Sequence, residues 1–164
     1  MKKLYLIGGA MGVGKTTICQ ALKRTIKNSV FLDGDWCWDA NPFLVTEETK
    51  RMVLDNICHV LNNFIGCSAY QAVIFGWVMH EQSIIDQILS RLDIKNCRVY
   101  KLSLVCEIDV LLKRLQKDIE SGLRKPDVIA RSMQKMALYE TLDTVKIDVS
   151  HGLPEEIAKG IAAL

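Results

Sequence analysis

Residues 4–17 read Leu-Tyr-Leu-Ile-Gly-Gly-Ala-Met-Gly-Val-Gly-Lys-Thr-Thr, LYLIGGAMGVGKTT in one-letter code. Leu4–Ile7 is a short apolar run of strand type, glycines interrupt it, and Thr16–Thr25 reads as a helix. Between strand and helix, Gly9-Ala-Met-Gly-Val-Gly14-Lys15-Thr16 has the spacing GxxxxGK[ST]. Glycines at these positions let backbone N–H groups converge on an anion that a Cβ would obstruct. The following helix adds its positive end beneath the same point. A glycine-rich turn that bound nothing would leave Gly14, Lys15 and Thr16 unexplained together.

The chemistry of such a loop is that of a nucleoside triphosphate. Gly9, Ala10, Met11, Gly12, Val13, Gly14, Lys15, Thr16 and Thr17 form the expected contact set. Lys15 brings a mobile charge to the β- and γ-phosphates, and Thr16 offers a hydroxyl to Mg²⁺. The loop alone does not separate kinases from GTPases, motor ATPases or sulfotransferase-like proteins.

Outward from the loop, short apolar runs alternate with longer periodic ones, the pattern of a parallel sheet covered by helices. Strands are expected at Val30–Leu32, Ala72–Phe75, Val99–Leu104 and Val145–Val149. Helices are expected at 47–65 behind a Thr46 cap, Ser83–Leu92, Asp109–Ile119, Val128–Leu142 and Pro154–Ala163. No repeat or linker divides residues 1–164, so a single α/β domain is expected.

Composition agrees. The 164 residues are 49% apolar and 24% charged, which is globular rather than disordered. A net charge of +2 without a long Lys/Arg run argues against nucleic acid, and no stretch approaches 18 apolar residues, so no membrane span is expected. The four-residue apolar run after Met-Lys-Lys is too short for a secretory leader. Cys19, Cys37, Cys58, Cys67, Cys97 and Cys106 are scattered without a CxxC pair, so reduced, mostly buried thiols and a cytoplasmic location are expected.

The second strand ends in Asp33-Gly34-Asp35, at the carboxyl edge where open α/β sheets hold ligands. Phosphoryl transfer to a hydroxyl needs a group that orients the acceptor and takes its proton, and a carboxylate near the metal. The pair divides these roles, Asp33 towards Mg²⁺ with Thr16 and Asp35 towards the acceptor. The plain alternative is a polar turn ending a strand.

With Phe31-Leu-Asp-Gly-Asp35 following the phosphate loop, the chain resembles the small P-loop kinases that include shikimate, gluconate and adenylylsulfate kinases and chloramphenicol phosphotransferase. The resemblance is specific over 4–17 and 31–35 and extends elsewhere in length and element order. It implies the P-loop NTP hydrolase fold: a three-layer sandwich with a five-stranded parallel sheet, order 2-3-1-4-5. It also implies ATP as donor and an arginine-bearing lid at about 114–131, matched by Arg124 and Arg131. An acceptor-binding segment is expected at about 36–66. Phe75-Gly-Trp-Val-Met-His-Glu lacks the arginine or glycine pairs with which shikimate kinases hold an acidic acceptor, and no Asp ends the third strand.

Arg114, Lys117, Arg124, Lys125 and Arg131 flank Gly122 and Pro126, a sensible source of positive charge that arrives on closure; solvated helices would look the same. Trp36, Trp38, Phe43, Trp77 and His80 crowd the acceptor end, either as a stacking surface or as the core of a small lobe. The expected activity is ATP-dependent phosphotransfer, by Lys15, Asp35, Arg124 and Arg131, to the hydroxyl of a small molecule, in a monomer or homodimer. A P-loop ATPase or GTPase, or a non-catalytic nucleotide-binding protein, is the alternative.

Overall fold

Along β1 (Lys2–Gly9), Leu4 and Leu6 join one apolar cluster while Tyr5 and Ile7 join another, and all four are buried. Successive side chains buried on opposite faces belong to a central strand with a layer on either side. The computed structural model, which describes residues 1–164, has this arrangement. β2 (Ser29–Asp33), β3 (Ala72–Gly76), β4 (Cys97–Val105) and β5 (Val145–Asp148) complete a wholly parallel sheet, ordered β2-β3-β1-β4-β5.

On one face α1 (Lys15–Thr25) and α6 (Pro154–Ala162) bury Ile18, Leu22, Ala158 and Ile161, joined by Leu111 and Leu115 of α4 (Ile108–Glu120). On the other, α2 (Glu47–Gly66) and α3 (Gln82–Ser90) bury Val53, Ile57, Leu61, Ile85 and Ile88. α5 (Val128–Glu140) gives Val128 to the first cluster and Tyr139 to the second, so it crosses from one layer to the other. The expected three-layer sandwich is observed.

Element ends are set by capping and pairing. Thr46 begins α2 with a reciprocal capping box: its hydroxyl accepts from the Thr49 N–H, and the Thr49 hydroxyl accepts from the Thr46 N–H. β1 starts two residues earlier than expected because Lys2 and Lys3 pair in register with Cys97 and Arg98. α4 stops in a left-handed turn at Gly122 (φ +76°), where the Leu123 N–H reaches the Asp118 carbonyl and the Gly122 N–H reaches that of Ile119. This pairing closes a helix and reverses the chain, placing Ser121–Asp127 as a turn between two helices.

All six cysteines are free; Cys19, Cys58 and Cys106 are buried, whereas Cys67 is exposed and Cys37 and Cys97 are half-buried. The burial expected of most of them thus extends to half. No helix is long and apolar enough to cross a membrane.

Candidate active site

The phosphate loop is held open by its neighbours. Gly12 and Gly14 have φ of +82° and +104°, and a Cβ on Gly12 would collide with Leu115 of α4. Two loop carbonyls are tied outward: that of Met11 accepts from Ser132 Oγ of α5 at 3.0 Å, and that of Val13 accepts from Arg114 Nη1 of α4 at 3.0 Å. In a trans peptide the N–H points opposite to the carbonyl. The N–H groups of Gly12 and Gly14 therefore point away from these donors. Arg114 also donates through Nη2 to the Val149 carbonyl at 2.8 Å, so one guanidinium joins the phosphate loop to the segment after β5.

Lys15 opens α1, and its Nζ donates to the carbonyls of Gly9 and Ala10 at 2.8 and 3.0 Å. Burial pulls its pKa down to about 8, against the opposing attraction of Asp35 and Asp33. Next to it, Thr16 Oγ1 donates to Asp33 Oδ2 at 2.9 Å, while Asp33 Oδ1 accepts from the Asp35 N–H at 3.1 Å. Asp33 is buried, and on the neighbouring strand its register partner is Gly76, the last residue of β3. It therefore stands beside the strand end that carries no acid of its own.

The two acids are held differently. Asp35 lies in the 3₁₀ turn Gly34–Cys37, is exposed to the cleft, and makes no hydrogen bond to the phosphate loop. Desolvation raises its carboxyl pKa, the Asp33 charge adds to the rise, and Lys15 and a Trp77 hydrogen bond oppose it. Trp77 packs against Gly34, where any Cβ would collide with its side chain. Thr16 and Asp33 thus present two converging oxygens. That donor set fits Mg²⁺, which keeps waters and binds through one or two protein oxygens plus phosphates. No group of three or more His, Cys, Asp or Glu side chains forms a richer site.

These groups share one cleft of about 470 Å³. Its walls run from residues 11–18 through Asp33, Asp35 and Trp77 to Arg114, Asp118, Arg124 and the 149–157 segment. Gly9 and Ala10 lie beneath the loop, as acceptors for Lys15, rather than in the wall. Of the two expected lid arginines, Arg124 lines the cleft, with Nε 2.9 Å from Asp118 Oδ2. Arg131 does not. It is exposed and pairs with Asp127 one turn away at 3.1 Å, because the Gly122 turn sets the phase of α5 so that Ser132, not Arg131, faces the loop.

The aromatic residues divide. Trp38 and Trp77 are half-buried against the α2–α3 cluster, whereas Trp36 and Phe43 are 60% and 57% exposed. His80 is half-buried, with Nε2 3.4 Å from Glu81. Ser132 and Asp118 were not singled out by the sequence, since each is an ordinary polar residue on a periodic helix. Only the packing of α4 and α5 over the loop gives them a role.

A family model described as an AAA domain matches residues 6–135. Comparison with curated proteins gives no match. Among solved structures, a gluconokinase from Sinorhizobium meliloti 1021 superposes with a TM-score of 0.70 at 17% identity, covering 98% of this chain and 92% of that one. A shikimate kinase from Acinetobacter baumannii in complex with shikimate gives 0.62 at 20%, covering 99% and 91%. The Mycobacterium tuberculosis APS kinase in complex with AMPPNP and APS gives 0.69 at 13%, covering 99% and 96%. At these identities the likeness is one of fold, that of the small P-loop kinases. With the family model covering residues 6–135, from the phosphate loop through the acid pair and α4 into α5, the chain belongs to the AAA-domain family.

Proposed function

We propose that the protein is an ATP-dependent phosphotransferase that moves the γ-phosphoryl group of Mg·ATP to a hydroxyl of a small molecule. The observation that carries this reading is the division of labour between the two acids. Asp33 is occupied by the Thr16 hydroxyl, while Asp35, two residues on, faces the same cleft with its carboxylate uncommitted to the loop.

The loop N–H groups and Lys15 orient the β- and γ-phosphates. Thr16 and Asp33 would hold Mg²⁺, which when bound neutralises charge on those phosphate oxygens. Asp35 accepts a hydrogen bond from the acceptor hydroxyl and aligns its lone pair with the γ-phosphorus. As the new O–P bond forms, the bond from phosphorus to the β,γ-bridging oxygen breaks. The electron pair stays with ADP, and the hydroxyl proton passes to Asp35. Arg124, brought over the phosphates by the 114–131 lid, stabilises the charge that develops on the transferring group. Residues 36–66 form the acceptor side.

The test is ADP release by the purified protein with Mg·ATP, with and without a panel of hydroxyl compounds. Stimulation by a small molecule supports the phosphotransferase. Equal turnover without any acceptor would make it an ATPase, and absence of turnover a nucleotide binder.

A further inference from the structure

The charges of the cleft are sorted by end, and this bears on what the acceptor is. Its cations, Lys15, Arg114 and Arg124, all belong to the donor end. Lys15 sits on the Gly9 and Ala10 carbonyls, Arg114 on those of Val13 and Val149, and Arg124 on Asp118. The acceptor end of the wall is Asp33, Asp35, Gly76, Trp77 and Val78, without a cation.

The chain that leaves this end keeps the same sign. Residues 33–49 contain Asp33, Asp35, Asp39, Glu47 and Glu48 and no Lys or Arg. Of the first cations beyond, Lys50 pairs with Glu47 at 2.9 Å, and Arg51 is exposed and lies outside the cleft wall. Neither His80, with Nε2 3.4 Å from Glu81, nor Lys135 near it lines the cleft. An acceptor carrying a carboxylate, sulfate or phosphate would meet Asp35 with no guanidinium or ammonium in the wall on its own side to offset it. Like-charge juxtaposition of this kind costs several kcal/mol.

The same segment is unusually apolar for an exposed one. Trp36, Phe43, Leu44 and Val45 are 57–60% exposed in succession after Asp35. Trp38 and Phe43 rings lie 4.6 Å apart, and the Trp77 indole lies on Gly34 beside Asp35. Trp77 lines the cleft with Asp35, and the exposed 36–45 stretch leads away from Asp35 outside the wall, a surface that suits a ligand with a flat or apolar body and a hydroxyl at one end.

Resting on the phosphotransfer reading, we infer that the acceptor is a hydroxyl compound without an anionic group, carrying an apolar or aromatic body that lies against the 36–45 segment. Its hydroxyl meets Asp35, and its body replaces water on Trp36 and Phe43.

The experiment measures Mg·ATP-dependent ADP release with 1-phenyl-1,2-ethanediol and 2-phenylethanol against xylitol, D-gluconate and shikimate at equal concentration. The aromatic alcohols are expected to stimulate about tenfold more than gluconate or shikimate, the least that a like-charge penalty predicts. Phe43→Ser should raise KM for the phenyl diol while leaving kcat little changed. Stimulation greatest with gluconate or shikimate overturns the inference but keeps phosphotransfer. So does stimulation by xylitol equal to that by the aromatic alcohols. Absence of stimulation by either aromatic alcohol also overturns it, while loss of ATP binding in Lys15→Ala reports on the donor site separately. A dimer at assay concentration that shields Trp36 from acrylamide quenching overturns it as well, since the exposed face would then serve self-association.

Discussion

Thr16 Oγ1 donates a 2.9 Å hydrogen bond to Asp33 Oδ2, linking the residue that closes the phosphate-loop motif to the acid at the end of β2. The bond crosses 17 residues of sequence and joins two strand ends on either side of β3. It gives the acids separate tasks, which substitution can tell apart.

Asp35→Asn keeps the shape of the side chain and removes its basicity. The chemical step should slow by roughly 10²–10⁴, the usual worth of a positioned proton acceptor, with Mg·ATP affinity nearly constant. Asp33→Asn should instead raise the Mg²⁺ concentration needed for half-maximal turnover. Single-turnover rates and metal titrations on both proteins check this. Losses that merely track thermal stability in both would leave the pair as a strand terminator.

Ser132→Ala removes the donor that holds the Met11 carbonyl. The buried Ser132 has no exposed alternative, and an unsatisfied buried polar group costs about 1–3 kcal/mol. Denaturant unfolding should register that loss, and ATP affinity should fall with it because the loop N–H groups lose their orientation. The acceptor KM should not move.

Arg124→Ala should lower kcat by about 10²–10³, typical of one lost donor to a developing charge, with little effect on folding. Asp118→Asn breaks the same ion pair from the other side while keeping the arginine. Cleavage by trypsin between Arg114 and Arg131 should decline when a non-hydrolysable ATP analogue and Mg²⁺ are added to the native protein. A lid assignment does not survive unchanged cleavage in that window at saturating analogue.

Lys15 has a lowered pKa, so its charge is present below about pH 8 and is lost as pH rises through that value. Binding of ATP in EDTA, where no divalent cation shares the phosphates, should therefore weaken as pH is raised from 7 past about 8. Lys15→Arg should flatten this dependence, since a guanidinium stays charged. Isothermal titration across the range measures both.

Some of these features were legible in the sequence, for identifiable reasons. The loop at 9–16 is dictated locally: Gly12 and Gly14 hold positive φ, so the conformation is written into residue types. The Thr46 cap and the Gly122 turn were likewise visible, because capping and helix closure are short-range. Arg124 and Arg131 were indistinguishable because both are basic residues near Pro126, and only the geometry of the closing turn sends one into the cleft. Ser132 meets Met11 across 121 residues and Arg114 meets Val13 across 101. Contacts at such separation depend on how α4 and α5 pack over the sheet, which no local pattern encodes. Gly34 read as the gap between two acids, yet its second role is to seat Trp77.

The double anchorage of Arg114 sets a rule for which changes in chain length this protein tolerates. Arg114 lies two turns into α4, and each residue of helix rotates the next by about 100°. Deleting or inserting one residue between Ile108 and Arg114 would swing the guanidinium away from the Val13 and Val149 carbonyls together. That stretch is therefore frozen in length. The turn at 121–127 touches neither carbonyl, but it places Arg124 in the cleft wall and Ser132 against Met11, so its length is constrained through those two residues. Insertions and deletions in homologues should accordingly avoid 108–114.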